Sequence, residues 1–173
     1  MSNSDEHMSA RQRRINFLAR RNRCSQLQSD YLARLSSALG SAADASCCID
    51  LAESDRLEAG FRAVAQQVVA RSVEESRVYA GRQELESRLG RLESVLEGDV
   101  LFYSEYSIYC GAYRLPAKHA IRKAFELLLV SNDSTDLGSL DGANGLILDV
   151  TAGDLIAYYE LYVWGRLWLS ICD

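Results

Sequence analysis

Four acids form the nearest thing in this chain to a catalytic set. Asp149, Asp154 and Glu160 lie in or beside one expected hairpin, and Glu105 lies in a turn expected nearby. Paired carboxylates can hold a metal ion or divide acid and base roles between them. No spacing rule singles these four out. Turn capping accounts for Asp149 and Asp154, and a hydrogen-bonded edge or interface acid accounts for Glu160. His7 sits in a polar start, and His119 falls early in an expected helix beside Lys118. A general base needs a nucleophile or carboxylate within hydrogen-bond reach, and no motif supplies one. The sequence carries no G-x-S-x-G, Walker A, dinucleotide fingerprint or H-E-x-x-H. Cys110, before Gly111, would need a histidine that the sequence does not place. The expectation is a protein without catalytic activity.

The five cysteines (24, 47, 48, 110 and 172) are odd in number and form no C-x-x-C. They read as reduced thiols, and the vicinal Cys47-Cys48 as a poor metal site in a chain with only two histidines. No metal and no cofactor is expected.

A second chemistry is recognition. Tyr103, Tyr106, Tyr109, Tyr113, Tyr158, Tyr159 and Tyr162, with Trp164 and Trp168, crowd the last 75 residues. Such rings bury large area yet keep a polar handle, which favours them at interfaces. Charge follows the same division. Residues 1–98 hold 14 acids and 14 bases, whereas residues 99–173 hold ten acids and five bases, which accounts for the net charge of −5. An acidic, aromatic surface steers a basic partner and repels nucleic acid. The candidate partner-binding residues are therefore Glu105, Tyr106, Tyr109, Asp149, Asp154, Tyr158, Glu160, Tyr162 and Trp164. The plainer use of these rings is sheet core and cross-strand packing, with one face serving each purpose.

Helices must position the first half. Residues 9–39 contain neither Pro nor Gly, and Cys24, Leu27, Tyr31, Leu35 and Ala38 recur three or four apart as one stripe before Gly40. A connector over 41–54 leads to a second helix capped by Ser54 or Asp55, with Leu57, Phe61, Val64 and Val68 at helical spacing to about 71. Residues 72–81 are ambiguous. Leu85, Leu89, Leu92 and Leu96 then spell a third helix ending at Gly98, and together these predict an intramolecular helical hairpin through which a homodimer could also form.

The texture changes at Asp99. Strands are expected at 100–103 and 108–113, joined by a turn, with Leu115-Pro116 opening a helix over 117–130. In that helix Ala120, Ile121, Ala124, Phe125, Leu128 and Leu129 form the apolar face. Further strands fall near 137–140, at 146–150 and at 155–164, separated by Asp141-Gly142, Asn144-Gly145 and 151–154 as turns. In the last strand, Leu155, Ala157, Tyr159, Leu161 and Val163 share one face, while Ile156, Tyr158, Glu160, Tyr162 and Trp164 share the other. Neither face is polar, which predicts an inner strand covered on both sides. The expected class is α+β: a helical hairpin or bundle over 1–98, packed with a mostly antiparallel sheet over 99–173 in the order β-β-α-β-β-β, as one compact unit.

Six arginines between 11 and 23 could contact nucleic acid or an anionic surface. In an acidic protein a short cluster reads first as a solvated helix face pairing with acids elsewhere. Neither nucleic acid nor membrane is an expected partner, and with no signal-peptide core or long apolar run the expected compartment is the cytoplasm.

The closing strands, residues 144–149 (Asn-Gly-Leu-Ile-Leu-Asp) and 158–168 (Tyr-Tyr-Glu-Leu-Tyr-Val-Trp-Gly-Arg-Leu-Trp), resemble the ending of small bacterial immunity proteins encoded beside polymorphic or contact-dependent toxins. The resemblance spans about the last 70 residues, from Phe102-Tyr103 through the expected helix, and leaves the helical first half unmatched. It implies a cytoplasmic inhibitor that binds its cognate toxin domain and occludes it. The acidic surface suits a toxin that is a basic nuclease. A homo-oligomeric adaptor or regulator assembled through the helical half is the competing expectation.

Overall fold

A computed structural model describes residues 9–60, 78–80, 89, 90, 93, 94, 97–130, 134–139, 144–151 and 156–163. The fold is α+β. Helix α1 (Ala10–Leu39) begins where Ser9 accepts a hydrogen bond from the Gln12 amide, and ends at Gly40, whose φ of 69° is left-handed. A 3-10 turn (Ala45–Cys47) follows. Helix α2 occupies residues 51–60 and starts earlier than the expected Ser54 or Asp55 cap. Asp50 is the capping side chain, accepting from the Ala52 amide at 2.9 Å. Ser54 is instead buried inside the helix, where its hydroxyl accepts from the Ala112 amide at 2.9 Å. The expected helical positions Phe61, Val64, Val68, Leu85, Leu92 and Leu96 lie outside the described residues, while Leu89 is helical and buried in the core.

The strands are β1 (Val78–Ala80), β2 (Asp99–Tyr103), β3 (Tyr113–Pro116), β4 (Ser134–Ser139), β5 (Asn144–Thr151) and β6 (Ile156–Val163), paired antiparallel in the order β1-β6-β5-β4-β2-β3. Three departures from the sequence reading have physical causes. Residues 108–110 are not strand but helix α3 (Ser107–Cys110), ended by Gly111 at φ 79° and ψ 165°, a conformation that only glycine adopts easily. A β-carbon on Gly111 would stand 2.1 Å from the Ile49 carbonyl oxygen, so the chain can pass here only without a side chain. Leu115-Pro116 does lead into a helix, with Pro116 at the cap position before Ala117, but the pair also closes β3. β3 is an edge strand, where a residue lacking N–H is tolerated.

The expected helix over 117–130 is two, α4 (Ala117–Arg122) and α5 (Ala124–Leu128), broken at Lys123 (φ −108°, ψ 15°). The break shifts the phase of the apolar stripe. Leu127 and Val130 are buried, and Leu129, expected on the apolar face, is 77% exposed. Asn144-Gly145, expected in a turn, opens β5, and β4 begins at Ser134, three residues before the strand expected near 137–140.

Strand β2 is buried on both faces. On one, Val100 and Phe102 join Tyr31, Leu35, Ala38 and Leu39 of α1 and the inner residues of α4 and α5. On the other, Leu101 and Tyr103 pack with Ala112 under Ile49 and Leu57. The edge of β3 is covered where Cys48 bridges Tyr113 and the Ile49 amide donates to the Ala112 carbonyl at 2.9 Å. The main core thus draws on residues from both sides of position 98.

Candidate partner-binding surface

The turn between β2 and β3 is held to α1 and α2 by two polar clamps. Tyr106 stacks on Tyr31 with ring centroids 5.0 Å apart and planes 7° from parallel. Its hydroxyl donates to Asp30 Oδ2 at 2.6 Å, and Arg34 donates to the same oxygen at 3.1 Å while its guanidinium lies 5.8 Å from the Tyr106 ring centre. The Tyr106 hydroxyl, helped by Arg34, holds the Asp30 carboxyl below its ordinary range. The second clamp is Arg20. It donates through both terminal nitrogens to Asp55 at 2.9 and 2.8 Å, and through Nε to the Ile108 carbonyl, tying α1, α2 and α3 at one point. Inside the turn, the buried Ser107 hydroxyl accepts from the Ser104 amide at 3.0 Å.

What these clamps leave outward is a hollow of about 360 Å³ lined by Leu27, Glu105, Tyr106, Ile108 and Tyr109. Glu105 is exposed, Ile108 is 52% exposed and Tyr109 is half-buried. Tyr106, by contrast, is 8% exposed. Its ring belongs to the core, so it supports the hollow rather than forming its surface.

The remaining candidates are placed by strand register. Tyr103, Asp136, Ile147 and Glu160 stand in one row across β2, β4, β5 and β6. Asp149 pairs with Ser134 on one side and with Tyr158 on the other, and Tyr158 pairs with Tyr79 of β1. Paired positions share a face of the sheet. All three acids of β4, β5 and β6 (Asp136, Asp149 and Glu160) therefore fall on one face, together with Tyr158 and Tyr162, and the opposite face of these strands carries no charged residue. The row of Tyr103 also fixes the end of the sheet. Asp149, Tyr158 and Glu160 lie at the end where β2 runs into the Glu105–Tyr109 turn, and Tyr162, opposite Gly145, lies two residues further in. Asp154 and Trp164 lie outside the described residues.

Two members escaped the sequence reading. Asp136 falls just before the strand expected near 137–140, and Tyr79 falls in the ambiguous stretch 72–81. The alternation Thr135-Asp136-Leu137 is the signal that could have found the first.

The cysteines also come together unexpectedly. Cys24, Cys47 and Cys48 pack against the core beside Cys110, all four as free thiols, and Cys110 Sγ lies 3.8 Å from the Cys24 carbonyl. Burial pushes the Cys48 thiol up to about 11 and raises that of Cys110 further, so both stay protonated near neutrality and neither is a ready nucleophile. Among the described residues, no group of His, Cys, Asp and Glu is arranged to hold a metal ion. His119 places Nε2 3.3 Å from the Leu39 carbonyl, where an N–H would satisfy one of the free carbonyls at the end of α1.

Comparison with protein-family models, with curated proteins and with solved structures found no match. Among the described residues, no helix is long and apolar enough to cross a membrane.

Proposed function

We propose that this chain is an immunity protein: it binds the toxin domain encoded beside it and neutralises that toxin by occlusion. The reading joins a helical first half, packed as a hairpin or bundle, to a mostly antiparallel C-terminal sheet that presents the binding surface. The observation that carries it is the segregation of Asp136, Asp149 and Glu160 onto one face of three adjacent strands, interleaved with Tyr158 and Tyr162. Asp149 stands diagonal to both Asp136 and Glu160 in the register, positions about 7–8 Å apart, and three acids so placed raise the local negative potential at a cost that a basic partner would relieve. The hollow at Glu105, Ile108 and Tyr109 adds an apolar seat at the same end of the sheet. Together they suit a basic protein domain, such as a nuclease whose substrate groove is lined with Lys and Arg. The protein then acts in the cytoplasm as a steric and electrostatic plug, with no catalysis and no cofactor of its own.

Expression of the adjacent gene alone should arrest growth, and co-expression of this chain should restore it. An adjacent product that is harmless when expressed alone would defeat the proposal.

A further inference from the structure

Residues 9–23 hold six arginines and no acid, within a chain of net charge −5. Of the six, Arg20 is committed to Asp55, and Arg23 donates to Gln26 of its own helix. Residues 10–19 are exposed apart from half-buried Phe17, while the fully buried positions of α1 begin only at Tyr31. The first ten residues of α1, before the Arg20 clamp, thus form an arm of about 15 Å at 1.5 Å per residue, with Arg21 and Arg23 exposed at its base.

The arrangement of charge on this arm says what it fits. At about 100° per residue, Arg11, Arg14 and Arg21 fall on one stripe with Leu18, while Arg13 and Arg23 fall on the other sides. A helix that lies on a membrane surface gathers its cations on one face and its apolar residues on the opposite one. Here cations surround the helix, and the exposed Ile15 and Leu18 lie among them. Arg11 and Arg14 on one side and Arg13 on the other match a groove whose two walls are both anionic. An α-helix with side chains measures about 10–12 Å across, and the major groove of B-form DNA is about 12 Å wide. The deep, narrow major groove of A-form RNA would not admit it. Every cation on the arm is a guanidinium, whose fork donates to two phosphate oxygens at once.

We infer that the arm formed by the first turns of α1 is a binding element for double-stranded DNA, seated in the major groove and held through phosphate contacts with little choice of sequence. The acidic sheet confines the contact to the arm and keeps the affinity moderate and sensitive to salt. This site is separate from the sheet surface assigned to the protein partner, and the two can fail independently.

The test is fluorescence anisotropy of a labelled 20-base-pair DNA duplex titrated with the full chain between 50 and 200 mM salt. Arg11, Arg13, Arg14 and Arg21, the four not committed to Asp55 or Gln26, predict that log K falls against log salt with a slope of about −3 to −4. Replacing Arg11, Arg14 and Arg21 together by Gln should weaken binding at least about tenfold and reduce the slope by about 3, since each lost phosphate contact removes about 0.9. Arg122→Gln removes an exposed cation that lies away from the arm and is paired with Glu93, and should leave binding unchanged. The inference is overturned by absence of duplex binding at 50 mM salt, by equal losses in the arm variant and Arg122→Gln, or by unchanged binding in the arm variant. Tighter binding to duplex RNA, or to vesicles of phosphatidylcholine and phosphatidylserine, would overturn it as well.

Discussion

Tyr106 lies flat on Tyr31, ring centres 5.0 Å apart, and reaches past it to bond Asp30. One turn of loop is thereby fixed to one turn of α1 through an apolar contact and a charge-assisted hydrogen bond together. This pair decides where Glu105, Ile108 and Tyr109 stand.

Removing the ring should therefore loosen the turn as well as the core. Tyr106→Ala is expected to cost about 3–5 kcal/mol in urea unfolding, the usual range for truncating a buried aromatic. Tyr106→Phe keeps the stack and loses only the hydroxyl, with a smaller cost that depends on pH. The Asp30 carboxyl is held below its ordinary 3.8 chiefly by the Tyr106 hydroxyl, so the native state takes up that proton less readily than the unfolded chain. The stability contributed is present above pH 3.8 and is lost as pH falls through the lower native value. The gap between wild type and Tyr106→Phe should accordingly be open at pH 6 and close on acidification. A gap that is constant from pH 6 to pH 2 would refute the coupling.

Gly111 is expected to tolerate no side chain. Gly111→Ala combines an unfavourable backbone conformation, about 1–3 kcal/mol, with a β-carbon placed 2.1 Å from the Ile49 carbonyl oxygen. Thermal unfolding should show the loss as a drop in Tm of several degrees at least. Gly40→Ala, at another left-handed position but with no atom within 4 Å, should cost distinctly less. Equal effects would mean that the close approach to Ile49 is not what requires glycine.

Ser54 presents a comparable case in hydrogen bonding. Its buried hydroxyl is the acceptor for the Ala112 amide, and Ser54→Ala leaves that N–H without a partner at a cost of about 1–3 kcal/mol. Hydrogen exchange offers a local check. The Ala112 amide should exchange faster in the variant, while the Ile49 amide, bonded to the Ala112 carbonyl, should lose protection with it.

The sequence made α1 legible from its first residue to its last. Ser9, Gly40 and the stripe through Tyr31 and Leu35 are local signals, and they agree with the packing. The sheet region was legible as texture but not as register. Periodicity could say that Tyr158, Glu160 and Tyr162 share parity along β6. It could not say that Asp136 and Asp149 stand on that same face, because this depends on how three strands align. Helix α3 was hidden for another reason. Ser107-Ile-Tyr-Cys110 has strand composition, and tertiary contacts through Tyr106, Ser107 and Gly111 override it. The meeting of Cys24, Cys47, Cys48 and Cys110 likewise joins segments that no spacing rule connects.

The segregated acids give the proposed function its sharpest exposure to experiment. The measurement is an isothermal titration of the chain with the catalytically disabled product of its adjacent gene. It should be run for wild type and for the double reversal Asp136→Lys with Glu160→Lys, two positions in one register row. The expected result is a tight 1:1 complex, weakened by the double reversal at least about tenfold, with circular dichroism unchanged. No complex, or one of undiminished affinity in the reversed variant, would contradict an immunity protein that works through this face.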